Sequence, residues 1–268
     1  MNTKNEEDKN SLSSQQQKDS LALSGCDIPN KLNYDLSKEQ KDSISIDYRN
    51  SNYKLIELSF PEISKNPIVV KQNFTLGKGG IFWDGSYFIS KYLISNIFNN
   101  HKNINNILEL GAGTALPSLV SLISGNYHVV TTDIKKLIPM INDIMDLNKY
   151  NFNKGSKSDV VELSWENQQN IENVQKLMNY EKFDLIIGSE LVYLDDLFDD
   201  LINVIRTFSD EKTFIILSYK VRLPSMVEDF TNKLKKYFEI IYIDYQLKNE
   251  LYPNPEKLQL IQIKKLSI

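Results

Sequence analysis

A short apolar run that stops abruptly at glycine is the feature that most constrains how this 268-residue chain can fold. Residues 107–110 are dense in leucine and isoleucine, which is typical of a buried parallel strand, and Gly111 and Gly113 follow immediately. From Thr114 onward the apolar residues recur with helical spacing. Thr114 is placed to cap this helix, and Pro117 is tolerated in a first turn. The pattern predicts a strand, a glycine turn and a helix in direct succession.

An aspartate follows at the end of the next apolar run. Residues 128–132 indicate a second strand that ends at Asp133, about twenty residues beyond the glycines, where a carboxylate can hold ribose hydroxyls. A turn without side chains lets a ligand approach the backbone and the positive end of the helix dipole. We therefore predict a nucleotide or nucleoside site. A dinucleotide fingerprint requires a third small residue at the position of Leu116, which disfavours NAD or FAD.

Two further strand ends bring side chains to the same edge of the predicted sheet. Trp165 follows a strand over residues 159–163, and Glu190 and Tyr193 follow a buried strand over residues 183–188. Because the carboxyl ends of parallel strands meet at one edge of an open α/β sheet, these side chains are expected to share a binding crevice with the glycines. Trp165 can pack on an adenine ring or belong to the core. Glu190 can instead be a solvated rim residue, so both alternatives remain open.

A tryptophan lies near the end of a glycine-rich loop, residues 77–85, just before an amphipathic helix over residues 86–98. The loop has too few apolar positions to belong to the core. Trp83 can be a hydrophobic anchor for the segment that precedes it. It can also form an aromatic wall for an adenosyl or sulfonium group, since aromatic faces attract cations. The sequence leaves both roles open.

The order of the remaining patterns indicates one α/β domain with a polar tail. Residues 1–45 are rich in Asn, Lys, Ser, Gln and Asp without a sustained period, which predicts a disordered tail. The domain spans residues 46–268, and strand-like runs separated by prolines predict a small β extension over residues 46–80. Beyond it strands and helices alternate. The last two strands, residues 238–243 and 258–263, are joined by a loop alone and should be antiparallel.

Composition excludes several classes of function. A formal net charge of −4 argues against binding nucleic acid by general electrostatics. The chain has one cysteine, Cys26, and two histidines, His101 and His128, so an internal disulfide is impossible and a histidine-rich metal centre lacks ligands. There is no charged-then-apolar leader and no apolar run of about eighteen residues. We expect a soluble intracellular protein without metal, nucleic-acid or membrane partners.

Four motifs give the chain a family resemblance. The string from Glu109 to Gly113, E-L-G-A-G, resembles the first motif of the seven-strand S-adenosylmethionine (SAM) methyltransferases. The Trp83 loop, the Leu163-x-Trp165 pair and the run from Ser189 to Tyr193 follow the order found in one branch of that class. Together the four motifs resemble the family-16, METTL21-like protein-lysine methyltransferases and their fungal relatives. The likeness covers roughly residues 48–268.

The resemblance implies a Rossmann-like, seven-stranded sheet with a reversed last strand. It implies SAM as the cofactor and a protein lysine side chain as the methyl acceptor, with Glu190 and Tyr193 lining the access route of the acceptor amine. We further expect a monomer in the cytoplasm, with the nucleus as the alternative compartment. SAM contacts are implied at seven residues: Trp83, Glu109, Gly111, Gly113, Asp133, Trp165 and Ser189.

Two departures from the family pattern concern the acceptor more than the cofactor. Glu190 replaces a commoner aspartate and adds a methylene to the acceptor wall, and Asp84 and Gly85 stand where relatives often have Pro and Ala. Three alternatives to protein-lysine methylation therefore remain open. They are a small-molecule N-methyltransferase, a SAM-binding scaffold without turnover, and an NAD oxidoreductase, which Leu116 disfavours.

Overall fold

Nine strands are found in residues 53–101, 103–245 and 258–267, the part of the chain that the computed structural model describes. In chain order they are β1 (Tyr53–Leu58), β2 (Ile68–Asn73), β3 (Asn106–Leu110), β4 (His128–Asp133), β5 (Lys157–Glu162), β6 (Leu185–Ser189), β7 (Phe214–Lys220), β8 (Phe238–Tyr242) and β9 (Leu258–Lys265). Seven of them form one sheet in the spatial order β5-β4-β3-β6-β7-β9-β8. The predicted tail, residues 1–45, lies outside the described residues.

The last strand, β9, makes this sheet mixed. Strands β3 to β7 pair in parallel with one another, whereas β9 is antiparallel to β7 on one side and to β8 on the other. The predicted seven-stranded sheet with a reversed last strand is thus confirmed. Strand order changes direction between β3 and β6, and in open α/β sheets the crevice at such a switch point is where ligands bind.

Helices connect the strands, and in chain order they are α1 (Asp84–Tyr92), α2 (Leu116–Ser124), α3 (Ile138–Asn148), α4 (Gln168–Leu177), α5 (Phe198–Phe208) and α6 (Pro224–Leu234). α1 continues into a π-helical turn at Leu93–Ile97, so the two together match the helix predicted over residues 86–98. Short 3₁₀ turns lie before α1, after α3 and before α5, at Phe74–Gly80, Lys149–Asn151 and Asp195–Leu197. Within the described ranges, no helix is both long and apolar enough to span a membrane.

The central strands are buried, as their uninterrupted apolar runs predict for a parallel sheet. Ile107, Leu108 and Leu110 of β3 and residues 185–187 of β6 have no solvent exposure. Full burial of each such side chain contributes roughly 1.5–3 kcal/mol to stability. The carboxyl ends of β3 and β6 are therefore anchored by the best-packed part of the sheet, which fixes the polar residues that follow them.

A separate two-stranded sheet, β1 paired antiparallel with β2, occupies the predicted β extension. One asparagine ties this hairpin to α3. The Asn148 carboxamide accepts the Val69 N–H at 2.8 Å and donates to the Val69 carbonyl at 2.7 Å, much as a neighbouring strand would. The hairpin thereby fixes the position of the 3₁₀ turn at Phe74–Gly80, which directly follows β2 and precedes α1.

The start of α2 differs from the prediction. The helix begins at Leu116, and its N-cap residue is Ala115, which makes no side-chain capping bond. Ala115 has a φ of 54°, in the left-handed region, so the chain is still turning where the sequence predicted a Thr114 cap. Thr114 is instead buried inside the turn. Pro117 does lie in the first turn, as predicted.

The glycine-rich loop before α1 is also more buried than predicted. Ile81 and Phe82 are 8% and 6% exposed, so the end of this loop belongs to the core. The Phe82 N–H donates to the Gln72 side-chain oxygen at 2.8 Å, which satisfies a backbone donor that burial would otherwise leave unpaired. The neighbouring Trp83 is consequently held at the edge of a well-packed segment.

Candidate functional site

Two positions of the turn between β3 and α2 strongly favour glycine. Gly111 and Gly113 have φ values of 58° and 54°, in the left-handed region. A Cβ atom at Gly111 would lie 2.6 Å from Leu191 Cδ2 and 3.5 Å from Trp165 Cζ2, and one at Gly113 would lie 3.0 Å from the Gly79 carbonyl oxygen. The turn is therefore in close contact with three other segments of the crevice.

Asp133, at the end of β4, is bound to the glycine turn. Its Oδ2 accepts the Gly113 N–H at 2.8 Å and its Oδ1 accepts the Ile134 N–H at 2.7 Å. The side chain is 8% exposed, and this burial raises the pKa of Asp133 to about 6, although the two N–H donors act in the opposite direction. The carboxylate orients the turn, and its predicted bond to ribose hydroxyls stays a prediction.

Glu109 lies beneath the same turn. It is 1% exposed, and its Oε2 accepts both the Ser118 N–H, at 2.9 Å, and the Ser118 hydroxyl. Thr131 of β4 donates to the Ser118 hydroxyl oxygen at 2.8 Å. Burial raises the pKa of Glu109 to about 8 in spite of these donors, so the side chain is mostly protonated at neutral pH. Glu109 thus joins β3, α2 and β4, while its predicted contact with the cofactor stays a prediction.

Glu109→Gln is expected to remove a pH dependence of stability. The folded chain binds a proton at Glu109 more tightly than the unfolded chain, because the pKa rises from 4.5 to about 8 on folding. The stabilisation that the Glu109 proton provides is therefore complete below about pH 4.5 and is lost as pH rises to about 8. Between these values the equilibrium constant for unfolding rises about tenfold per pH unit. Gln keeps an oxygen for both Ser118 bonds and does not titrate. Urea unfolding across this pH range should show that the free energy of unfolding of the variant rises relative to that of the natural protein as pH rises.

Glu239→Gln serves as the control for that measurement, since Glu239 is an exposed glutamate on β8. The change in stability with pH that the substitution removes should be much larger for Glu109→Gln than for this control. A pH-independent difference for Glu109→Gln would contradict the protonated state assigned to Glu109.

The two predicted aromatic residues are held in different ways. Trp83, half-buried, donates its Nε1–H to the Lys78 carbonyl at 2.8 Å, and its own carbonyl accepts from Ser86 in the first turn of α1. Trp165 is half-buried, packs against the core, and lies beside Gly111. Trp165 therefore packs on the core beside the glycine turn, and its predicted contact with an adenine ring stays a prediction.

Glu190 combines a left-handed backbone conformation with a buried, charged side chain. Its φ is 57°, and its N–H donates to the Ser218 carbonyl at 2.7 Å. The side chain is directed at Gly85, where a Cβ atom would lie 2.5 Å from Glu190 Oε1. Oε1 is buried and has no hydrogen-bond partner among the described residues. Glu190 is thus a buried carboxylate, not the solvated rim residue that was the alternative.

Sequence reasoning missed the partner of this carboxylate. Arg222, in the connection between β7 and α6, places its guanidinium NH1 2.6 Å from Glu190 Oε2. The same guanidinium lies over the Trp83 ring, 5.2 Å from its centroid. Because Arg222 is 29 residues beyond Tyr193 and belongs to no motif, only the pairing of β6 with β7 brings it to the site.

The remaining predicted residues lie on the same edge. Ser189 is the last residue of β6 and pairs with Ser218 of β7, whose hydroxyl donates to the Gly85 carbonyl at 2.9 Å. The ring of Tyr193 lies beneath the Lys78 ammonium, with 4.8 Å between the nitrogen and the ring centroid. Ser218 is thus a further residue of the crevice, and Lys78 and Gly85, in the loop of residues 77–85, make contacts that sequence patterns did not indicate.

The nine predicted site residues therefore lie at or just after the carboxyl ends of β3, β4, β5 and β6, or, for Trp83, in the loop before α1. Leu191, next to Glu190, contacts Gly111, so the carboxylate and the glycine turn are on adjoining parts of its wall. The crevice has a glycine cradle, two aromatic faces and a carboxylate oxygen that has no donor among the described residues. In the described part of the chain, no group of three or more His, Cys, Asp or Glu side chains is arranged to hold a metal ion.

Comparison with known proteins places this crevice in context. A family profile described as lysine methyltransferase matches residues 63–241. Protein N-lysine methyltransferase METTL21A of Xenopus tropicalis is 26% identical over 72% of this chain and 84% of its own length. Methyltransferase-like protein 23 of Dictyostelium discoideum is 31% identical over 74% of this chain and 82% of its own length.

The fold is also found among solved structures. The SAM-dependent methyltransferase from Agrobacterium tumefaciens superimposes with a TM-score of 0.51 and 15% identity, over 79% of this chain and 70% of that one. The match confirms the predicted Rossmann-like fold. The profile match begins before α1 and ends in β8, so it includes every strand end that forms the crevice.

Proposed function

The chain belongs to the lysine methyltransferase family, and from this membership we propose that it transfers the methyl group of SAM to a lysine side chain of a protein substrate. The observation that carries the proposal is the extent of the family match. Residues 63–241 include all nine predicted site residues, from Trp83 to Tyr193. The names of the relatives METTL21A and EEF1A lysine methyltransferase 3 agree with a protein lysine as the acceptor.

The crevice fits SAM by the shape of its glycine turn. Gly111 and Gly113 have left-handed φ values that bring the turn close to Leu191 and Gly79, and Asp133 holds the Gly113 amide in place. We assign the cradle to the nucleoside and methionine portions of SAM, with Asp133, Trp165 and Ser189 beside them and Glu109 supporting the turn from below. SAM supplies a methyl group on a sulfonium, a leaving group that needs neither a metal ion nor a nucleophilic side chain.

The acceptor side of the proposal depends on Glu190. Its carboxylate follows the end of β6, with Oε1 packed against Gly85 and Oε2 bonded to Arg222, whose guanidinium lies over Trp83. A lysine amine must be neutral to react, yet its usual pKa is about 10.4. A buried carboxylate can orient that amine in line with the methyl group and accept its proton. The ring of Tyr193 would line the route along which the lysine arrives.

Methyl transfer from labelled SAM tests the proposal. The protein is incubated with methyl-labelled SAM and a cell extract that lacks its own copy, and macromolecules are then separated from small molecules. Label in a discrete protein band is expected, and Gly111→Arg should abolish it. Label confined to small molecules would support a metabolite methyltransferase instead, and SAM binding without any transfer would support a scaffold.

Two parts of the proposal come from the sequence alone. We propose that the enzyme acts as a monomer, and that it acts in the cytoplasm, with the nucleus as the alternative. Sedimentation of the purified protein and imaging of a tagged copy would test these two statements separately.

A further inference from the structure

An arginine outside all of the sequence motifs is bound to the proposed acceptor carboxylate. Arg222 NH1 lies 2.6 Å from Glu190 Oε2, and the two side chains are 40% and 7% exposed, respectively. The guanidinium also lies over the Trp83 ring at 5.2 Å. Arg222 is therefore held between a buried carboxylate on one side and an aromatic face on the other.

The backbone around Glu190 leaves its side chain little freedom. Its left-handed φ of 57° is stabilised by the bond from its N–H to the Ser218 carbonyl. Ser218 in turn donates its hydroxyl to the Gly85 carbonyl, at the start of α1. A Cβ atom at Gly85 would lie 2.8 Å from Glu190 Cγ, so the carboxylate reaches this position only because residue 85 is glycine. The departure from the family's Pro-Ala pair thus provides the space that the longer glutamate needs.

The two oxygens of Glu190 have different surroundings. Oε2 accepts a charged hydrogen bond from Arg222, while Oε1 is buried and has no partner among the described residues. Oε1 lies against Gly85, at the start of α1. The carboxylate is therefore fixed from two sides, by Gly85 at Oε1 and by Arg222 at Oε2.

We propose that Arg222 is the positioning residue of the acceptor site: by binding Oε2 while it lies over Trp83, it holds the Glu190 carboxylate in place for the incoming amine. This inference rests on the proposed function, because the amine is the proposed acceptor. Arg222 does not touch the reacting atoms. Its planar guanidinium, which lies over the Trp83 ring, sets the rotation of the carboxylate, and it supplies the counter-charge that a buried carboxylate requires.

A role in positioning predicts a specific kinetic pattern for Arg222→Ala. The value of kcat/KM for the protein acceptor should fall on the order of 30-fold, the usual loss for one hydrogen bond to a charged group. The dissociation constant for SAM should stay within about twofold, because the glycine cradle is unchanged. Arg222→Lys keeps the charge and should recover part of the loss. Guanidinium ion at millimolar concentration should recover part of the activity of Arg222→Ala and leave the natural protein unaffected.

A double-mutant cycle separates positioning from a general structural effect. In the Glu190→Gln background, Arg222→Ala should cause no further loss of kcat/KM, since the carboxylate that it positions is gone. If the losses of kcat/KM caused by the two single substitutions added in the double variant, the proposal would be overturned. Loss of SAM binding together with turnover in Arg222→Ala would also overturn it. Failure of both lysine and guanidinium to restore activity would also overturn it.

The same cycle measured in thermal unfolding does not depend on activity. Arg222→Ala should lower Tm in the natural protein, where it leaves Glu190 without its counter-charge, and should have a smaller effect beside Glu190→Gln. If the natural protein transferred no methyl group, the proposed function would fail. The unfolding cycle would then still decide whether Arg222 holds Glu190, so the two failures can be told apart.

Discussion

Gly111→Arg is expected to abolish SAM binding and, with it, methyl transfer. Gly111 has a φ of 58°, and a Cβ atom there would lie 2.6 Å from Leu191 Cδ2, with Trp165 just beyond. A side chain would therefore strain the backbone and fill the space between the glycine turn and the two neighbouring walls. SAM affinity measured by calorimetry should fall on the order of 100-fold or more.

Gly155→Arg provides a matched control with the same change of residue. Gly155 is exposed, has an ordinary φ, and lies just before β5, at the amino end of that strand and so away from the crevice. A Cβ atom there would meet only the movable side chain of Asn126. The control should bind SAM normally. Near-normal SAM affinity of a folded Gly111→Arg protein would show that the glycine turn is not the cofactor cradle.

Glu190→Gln is expected to reduce turnover by about 100-fold or more, while SAM affinity stays nearly unchanged. Gln has almost the same shape as Glu, so the contact with Gly85 can be kept. It carries no negative charge, however, and can neither accept the amine proton nor form the charged bond to Arg222. Single-turnover rates with saturating SAM, compared with SAM dissociation constants, measure the two effects separately.

Glu228→Gln, at an exposed position on α6, makes the same chemical change outside the crevice and should leave both quantities unaltered. An equal loss of turnover and SAM affinity in Glu190→Gln would place Glu190 on the cofactor side. Normal turnover would remove it from the acceptor site altogether.

The fold was predictable because its strongest signals are local. The buried strand that ends at Gly111, and the helical spacing that follows it, specify a strand–turn–helix unit without any distant contact. Strands that alternate with helices are expected to run parallel, because each helix returns the chain to the same end of the sheet. The start of α2 was not predictable in this way. Three left-handed residues, Gly111, Gly113 and Ala115, prolong the turn, and propensity alone would not place an alanine there.

The site residues that could be predicted are those that the order of parallel strands brings to one edge of the sheet. Asp133, Trp165 and Glu190 each follow a parallel strand, so they had to reach one edge of the sheet. Their partners could not be predicted, because Ser118, Gly85 and Arg222 belong to other elements and make contact only through the packed tertiary structure. Prediction from motifs therefore found residues at the edge of the sheet, and the structure was needed to find the residues that bind them.

Identification of the labelled amino acid is the measurement that tests methylation of protein lysine most directly. A protein band labelled from methyl-labelled SAM is hydrolysed completely, and the amino acids are separated beside methylated standards. We expect the label to migrate with methylated lysine, and the band to be missing when Glu190→Gln is used. Label in methylated arginine or histidine, or label released as methanol from an ester, would contradict transfer to a lysine amine.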